Sequence, residues 1–272
     1  MRKWLTALFG AAAVLMMSFT SFAAENPAEL MDRVTAKANA LDSMDWDMGI
    51  HAVVAMDDMG PEAQMKIDMA MKMQMENVNS GDLRYKAEVA TEMLGETAYS
   101  VVFYEDGWYY VDAAGTKLKY PMDLEGMVTS LEGTTAMTDL SSSYMKAMTV
   151  EEINGLRVLF YEADAAKMNG YMQEVMGTVF SEMNLDVGMN IQDIQGAYVI
   201  NDTDDIVSMT MSMTFGMDFM GENLTYIVLM EGTVNNPGQP VTVSLPSKEG
   251  YEDLIGYYDA LLSEEVLMDS AA

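Results

Sequence analysis

Residues 64–76 read Gln-Met-Lys-Ile-Asp-Met-Ala-Met-Lys-Met-Gln-Met-Glu, so that Met65, Ile67, Met69, Met71, Met73 and Met75 alternate with mostly polar neighbours. Successive side chains of an extended strand point to opposite faces, and a period of two therefore marks a strand with one apolar and one wet side. The same period runs upstream. Met44, Trp46, Met48, Ile50, Ala52, Val54 and Met56 alternate with Asp45, Asp47, Gly49, His51, Val53, Ala55 and Asp57, ahead of a Gly60-Pro61 turn. Downstream, past an Asn79-Ser80-Gly81 turn, Leu83, Tyr85, Ala87, Val89 and Met93 oppose Arg84, Lys86, Glu88 and Glu92. Three strands joined by short turns predict an antiparallel meander with one solvated face.

The pattern continues outward in both directions. Tyr99–Tyr104 and Trp108–Val111 flank Glu105-Asp106-Gly107, a hairpin with a strong Asp-Gly turn signal. Both of its faces are apolar, so a covering segment is expected. Leu124, Met127, Val128 and Leu131 predict a short helix, and Leu140, Tyr144 and Met148 a second. Asn154-Gly155 joins strands Thr149–Ile153 and Leu156–Ala163. Asp164 then caps a long helix reaching Leu185, with Met168, Met172, Met176 and Phe180 on its apolar stripe. Period two returns in Ala197–Asn201, in Val207–Phe219 and in Leu224–Val234. Val241–Pro246 predicts an edge strand ending at proline, and Tyr251–Leu262 a closing amphipathic helix. At the other end, Asn26, Pro27 and Glu29 mark the start of a helix whose Leu30, Val34, Ala38 and Leu41 share one face.

The first residues predict export. Arg2 and Lys3 precede an apolar run from Trp4 to Met17, and Ser21-Phe22-Ala23 fits a small-x-small cleavage site. The run is too short to cross a bilayer, which takes about 20 residues. The expected division is a signal peptide over residues 1–23 and a single domain over 24–272. The chain has no cysteine and a formal charge of −29. No disulfide, thiolate metal site or acylated N-terminal cysteine is therefore expected. The charge repels nucleic acid and anionic headgroups, and it opposes self-association, so a soluble, unanchored extracytoplasmic monomer is expected.

Catalysis finds no support. His51 is the single histidine, and neither a Gly-x-Ser-x-Gly elbow nor a glycine-rich phosphate loop occurs. Neither a catalytic residue nor a cofactor is expected. Asn201–Asp205 resembles part of a calcium loop, yet it lacks the glycine and distal glutamate at the required spacing, and a turn between strands is expected there instead.

Methionine is the positive signal: there are 31. Thioether side chains are unbranched and polarizable and adapt to varied shapes. Three readings are open. The face lines a ligand surface, or it is an ordinary core, or Met69-x-Met71-x-Met73 and Met209-x-Met211-x-Met213 capture Cu(I), which soft thioethers suit. No protein metal site is assigned. The candidate ligand-lining residues are Trp46, Met48, Met69, Met71, Met73, Phe103, Trp108, Tyr110, Met209, Met211, Met213 and Tyr226. Met172, Met176 and Phe180 join them from the helix.

Four segments carry a family resemblance: Leu30–Met56, the Tyr104–Tyr110 hairpin with its Asp106-Gly107 turn, the Met209–Phe219 strand and Pro237–Pro246. In their order the chain resembles the LolA, LppX and LprG superfamily of extracytoplasmic lipoprotein and lipid carriers, and within it secreted members from Gram-positive bacteria. The resemblance implies an α+β fold, a curved antiparallel half-barrel with helices covering its concave face and a cavity for acyl chains. It implies a lipophilic small molecule or acyl chain as ligand. The chain departs from anchored members in lacking the lipobox cysteine, and no family site residue maps onto a position here. The competing expectation is a non-enzymatic interaction module of the cell envelope, with a filled core and a protein partner.

Overall fold

The computed structural model describes residues 25–56, 64–79, 81–128, 141–171, 188–219 and 222–254. The expected signal peptide, the expected long helix beyond residue 171 and the expected closing helix beyond 254 fall outside them.

The period-two segments form β1 (Ser43–Met56), β2 (Gln64–Glu76), β3 (Arg84–Met93), β4 (Glu96–Glu105), β5 (Trp108–Ala113) and β6 (Thr116–Pro121). A second series follows: β7 (Met145–Ile153), β8 (Leu156–Ala163), β9 (Gly188–Ile200), β10 (Ile206–Phe219), β11 (Glu222–Val234) and the short β12 (Glu252–Asp253). All twelve share one sheet in the order β12-β6-β5-β4-β3-β2-β1-β11-β10-β9-β8-β7. Two antiparallel meanders thus meet where β1 pairs with β11, and only the β12–β6 contact is parallel. The order ends on β12 and β7 without their pairing, so the sheet is open.

Helix α1 (Pro27–Asn39) starts where the sequence predicts: Asn26 accepts a hydrogen bond from the Ala28 amide, with proline at the first turn. Its Leu30, Met31 and Val34 are fully buried in one cluster with Leu159, Tyr198, Ile200 and Met209. Polar contacts pin the helix to the β9–β10 turn. Arg33 pairs with Asp204 and Glu25, Lys37 with Asp205, and Arg157 of β8 also pairs with Asp204. Asn201 closes the turn by accepting from the Thr203 and Asp205 amides. The Asp204 and Asp205 carboxylates of the turn face these cations.

Five segments differ from expectation, the first being the start of the closing helix, where Glu252 and Asp253 pair with β6 as a strand instead. Leu140–Met148 is not helical throughout: a 3-10 turn at Ser142–Tyr144 leads directly into β7. Strand β9 begins at Gly188, well before Ala197. Its partner pairing slips between Thr214 and Phe215, a bulge that buries Ile191 and Ile194 three positions apart and so breaks the period. Strand β6, Thr-Lys-Leu-Lys-Tyr-Pro, adds an unforeseen sheet member. Val241–Pro246 is no edge strand. Val241 donates to the Ser43 hydroxyl at 3.0 Å and Val243 to the Glu76 carboxylate at 3.1 Å, so the segment lies across a sheet face. An extended segment laid on a face buries alternate residues as an edge strand does, here Val241 and Val243, and alternation does not tell the two apart.

Candidate functional site

Directly paired residues of neighbouring strands share a face, so the register maps the methionines across the sheet. One transverse row runs Val89, Met71, Met48, Gly232, Met209, Tyr198, Leu159 and Val150. The next runs Thr91, Met69, Ile50, Met230, Met211, Gly196, Tyr161 and Met148. Trp46 pairs with Met73, Met213 with Val228, and Phe215 with Tyr226, all on this same face. The structure therefore brings together Trp46, Met48, Met69, Met71, Met73, Met209, Met211, Met213 and Tyr226.

Glycines shape two points of that surface. A Cβ at Gly232 would stand 3.1 Å from the Trp46 ring and 3.0 Å from the Met209 Cγ, so the bare backbone is what lets the indole lie across β11. At Gly196 a Cβ would fall 2.3 Å from the Tyr161 hydroxyl and 2.7 Å from the Thr210 carbonyl oxygen. The tyrosine ring occupies the missing side chain's place.

Phe103, Trp108 and Tyr110 stand apart from this group. Tyr104 pairs with both Tyr85 and Tyr109 on the methionine face, which puts Phe103 and its partner Tyr110 on the other side of the sheet. There Phe103 stacks on Tyr110 with centroids 4.4 Å apart, and Tyr251 meets both rings edge-on. Lys119 lies 5.0 Å from the centre of the Trp108 ring. The segment leading to Tyr251 is thus the cover that the doubly apolar hairpin needs. Met172, Met176 and Phe180 lie outside the described residues. The aromatic members that sequence reasoning missed are Tyr85, Tyr104 and Tyr109. The available signal was the two-residue turn: Asp106-Gly107 makes Tyr104 and Tyr109 a cross-strand pair, and Tyr85 sits in phase with Ala87 and Val89.

Burial is uneven along the face. Met73, Met75, Tyr85, Ala87 and Tyr104 form one packed cluster, and Met209, Met211 and Met213 belong to the other, beneath α1. Trp46 packs against both. Between them Met48, Ile50 and Met69 are half-buried and belong to neither.

The electrostatics are those of an oil-like surface. By register, the rows of this face from Met73 and Trp46 to Ile67, Ala52 and Val228 carry no charged side chain on β1, β2, β3, β10 or β11, and Glu96 of β4 pairs with Met93 at the rim. Burial holds the phenols of this face neutral: Tyr85 is raised and Tyr109 is pushed up to about 12. Charges gather on the opposite side, where Asp45, Asp47, Lys72, Gln74, Lys86, Glu88 and Asn235 line an open polar cavity of about 310 Å³. There Asp45 accepts from Gln74 at 2.7 Å and from Asn235 at 2.8 Å. His51 meets Asp68 at 2.6 Å, also on that side. Among the described residues no group of three or more His, Cys, Asp or Glu side chains is placed to hold a metal ion. Among them, too, no helix is long and apolar enough to cross a membrane.

Such a surface offers apolar contact over several strands. A family model, the family of unknown function DUF6612, matches residues 26–248. Among solved structures the chain is similar to LprF from Mycobacterium bovis, with 14% identity, a TM-score of 0.38 and coverage of 81% of this chain and 97% of that one. It is similar to the Mycobacterium tuberculosis lipoprotein LppX at 12% identity and a TM-score of 0.38, covering 81% and 100%. A structure of lipovitellin matches at 10% identity and a TM-score of 0.38, over 76% of this chain and 26% of that one. No protein of curated function matches the chain.

Proposed function

We propose that this chain, which belongs to the family of unknown function DUF6612, is an exported, non-enzymatic binding protein that holds a lipophilic molecule against its methionine face. The observation that carries this reading is the half-buried strip of Met48, Ile50 and Met69 between two packed clusters, on central strand rows that carry no charged side chain. Thioethers suit a ligand whose chains vary in shape, and each Å² of apolar surface removed from water contributes about 25 cal/mol. In this reading the sheet face and the helix expected over Asp164–Leu185, with Met172, Met176 and Phe180, enclose the ligand. Residues 1–23 direct export, and 24–272 act as one unanchored extracytoplasmic domain.

The test is native mass spectrometry of protein purified from its own host, beside a delipidated sample. A lipid-sized mass lost on delipidation, with uptake of a fluorescent fatty acid by the emptied protein, is the expected result. Protein that is bare from the start and takes up no fatty acid sinks the proposal. Copper titration under reducing conditions separates the Cu(I) reading, which requires thioether coordination to appear.

A further inference from the structure

The apolar face does not stop at the packed clusters. Along β2 and β3 it runs from buried Met73 and Ala87, through half-buried Met71 and Met69, to the pair Ile67 and Met93 at the strand ends. Met93 is 43% exposed, and the hairpin turn that follows it carries Leu94 at 80%. Tyr99, on the opposite face of the same hairpin, is 69% exposed. Ala114 of the adjoining β5–β6 turn donates its amide to the Tyr99 carbonyl, which sets that turn beside Tyr99.

Leu94 is unfavourable twice over for an isolated molecule. Its φ is +55°, in the left-handed region where the equivalent positions of three sister hairpins hold Asp106 (φ +54°), Asn154 (φ +54°) and the small Ala114 (φ +51°). Asp and Asn tolerate that region through local hydrogen bonds, whereas leucine does not. Its side chain also stands in water. A turn sequence chosen for stability or solubility would place Asn or Asp there. An apolar residue there finds its use outside the molecule.

We infer that the β3–β4 hairpin tip is a wedge that docks reversibly on a zwitterionic lipid bilayer, at the end of the sheet where a ligand passes on or off the methionine face. This inference rests on the proposed lipophilic ligand. Apolar side chains on both faces of the tip fit insertion into a headgroup layer better than packing against a flat protein surface, and the tyrosine suits the interface level. Charge selects the lipid. Glu92 and Glu96 flank the tip, and the chain carries −29, so anionic headgroups are repelled and neutral or zwitterionic ones are accepted.

Flotation with phosphatidylcholine vesicles tests the wedge on the full chain, comparing the native protein with Leu94→Asn and with the double variant Leu94→Asn/Tyr99→Ser. Asparagine favours the turn, so the variants keep their thermal midpoint. The native chain should co-float, and the double variant should partition about tenfold less or weaker, given the transfer free energy of these side chains. Adding phosphatidylserine should reduce binding at low salt. Equilibrium uptake of a fluorescent fatty acid should be equal in all three proteins, while its transfer from vesicles slows in the variants. A native chain that stays off the vesicles, or a double variant that floats as well, overturns the inference. So does a dimer seen by sedimentation and lost in Leu94→Asn, which would assign the tip to a second copy. Failure of flotation with fatty-acid uptake intact overturns the wedge and leaves the functional proposal standing, and flotation without uptake refutes the functional proposal and the tip's part in ligand passage, leaving bilayer docking alone.

Discussion

At the scale of single residues, the methionine face depends on two places where a side chain is missing. Gly196 and Gly232 each make room for a ring from a neighbouring strand, Tyr161 and Trp46. The two differ in what surrounds the absent Cβ. At Gly232 the nearest atom is the Cγ of Met209, at 3.0 Å, part of a chain that can turn aside. At Gly196 the Thr210 carbonyl oxygen lies 2.7 Å away, and backbone locked in a ladder cannot. Gly232→Ala should therefore cost about 1 kcal/mol, and Gly196→Ala about 3 kcal/mol or more, within the usual range for overpacked cores. Urea unfolding curves give the comparison. Equal midpoints for the two variants would mean that Tyr161 is not seated as described.

At the scale of elements, α1 is held over the face by buried apolar residues and by a clamp at its C-terminal half. Asp205 is buried and accepts from Thr203 Oγ1 at 2.6 Å while pairing with Lys37. Burial raises the carboxyl pKa of Asp204 and Asp205. The opposing hydrogen bonds win, from Arg33 and Arg157 to the first and from Lys37, Thr203 and Asn201 to the second, and both sit below the usual value. A carboxylate with a depressed folded pKa contributes stability that is present above its unfolded pKa, near 4, and is lost as pH falls through the folded one. Asp205→Asn should thus lower stability by about 1–3 kcal/mol at pH 7, and the gap to the native chain should narrow below pH 4. Thermal melts at the two pH values decide it, and a gap that stays constant would remove the clamp from the account. The elements also differ in how readily sequence reveals them. β1, β2, β3 and β10 repeat an unbroken period of two and are legible at once. The bulge in β9 hides that strand, because Ile191 and Ile194 fall out of phase. The β4–β5 hairpin is legible as a hairpin but not in its facing: with aromatics on both sides, only the cross-strand register and the Tyr251 cover assign Tyr104 and Tyr109 to the methionine face and Phe103 and Tyr110 away from it.

At the scale of the whole molecule, the question is whether the thioethers form a core or line a surface, and methionine's own chemistry answers it. Oxidation to the sulfoxide turns an apolar side chain polar, and it proceeds where peroxide reaches the sulfur. The half-buried strip and the packed clusters should therefore react at different rates. Met48, Met69 and Met71 should oxidise first, and Met73, Met75, Met209, Met211 and Met213 should resist until the protein unfolds. Peptide mass spectrometry along a peroxide time course reads each position separately, with Met93 at the exposed tip as the fast reference. If the strip is a binding surface, fatty acid bound to the delipidated protein should slow oxidation of Met48, Met69 and Met71 several-fold. Met93 should be unaffected, because it lies at the rim. A plain core gives another pattern: all of these methionines except Met93 slow, and none responding to fatty acid. Protection of Met93 along with the strip would place the ligand at the hairpin tip instead. The two clusters pack the face on either side, and the half-buried strip between them, bridged by Trp46, keeps apolar area to offer a ligand.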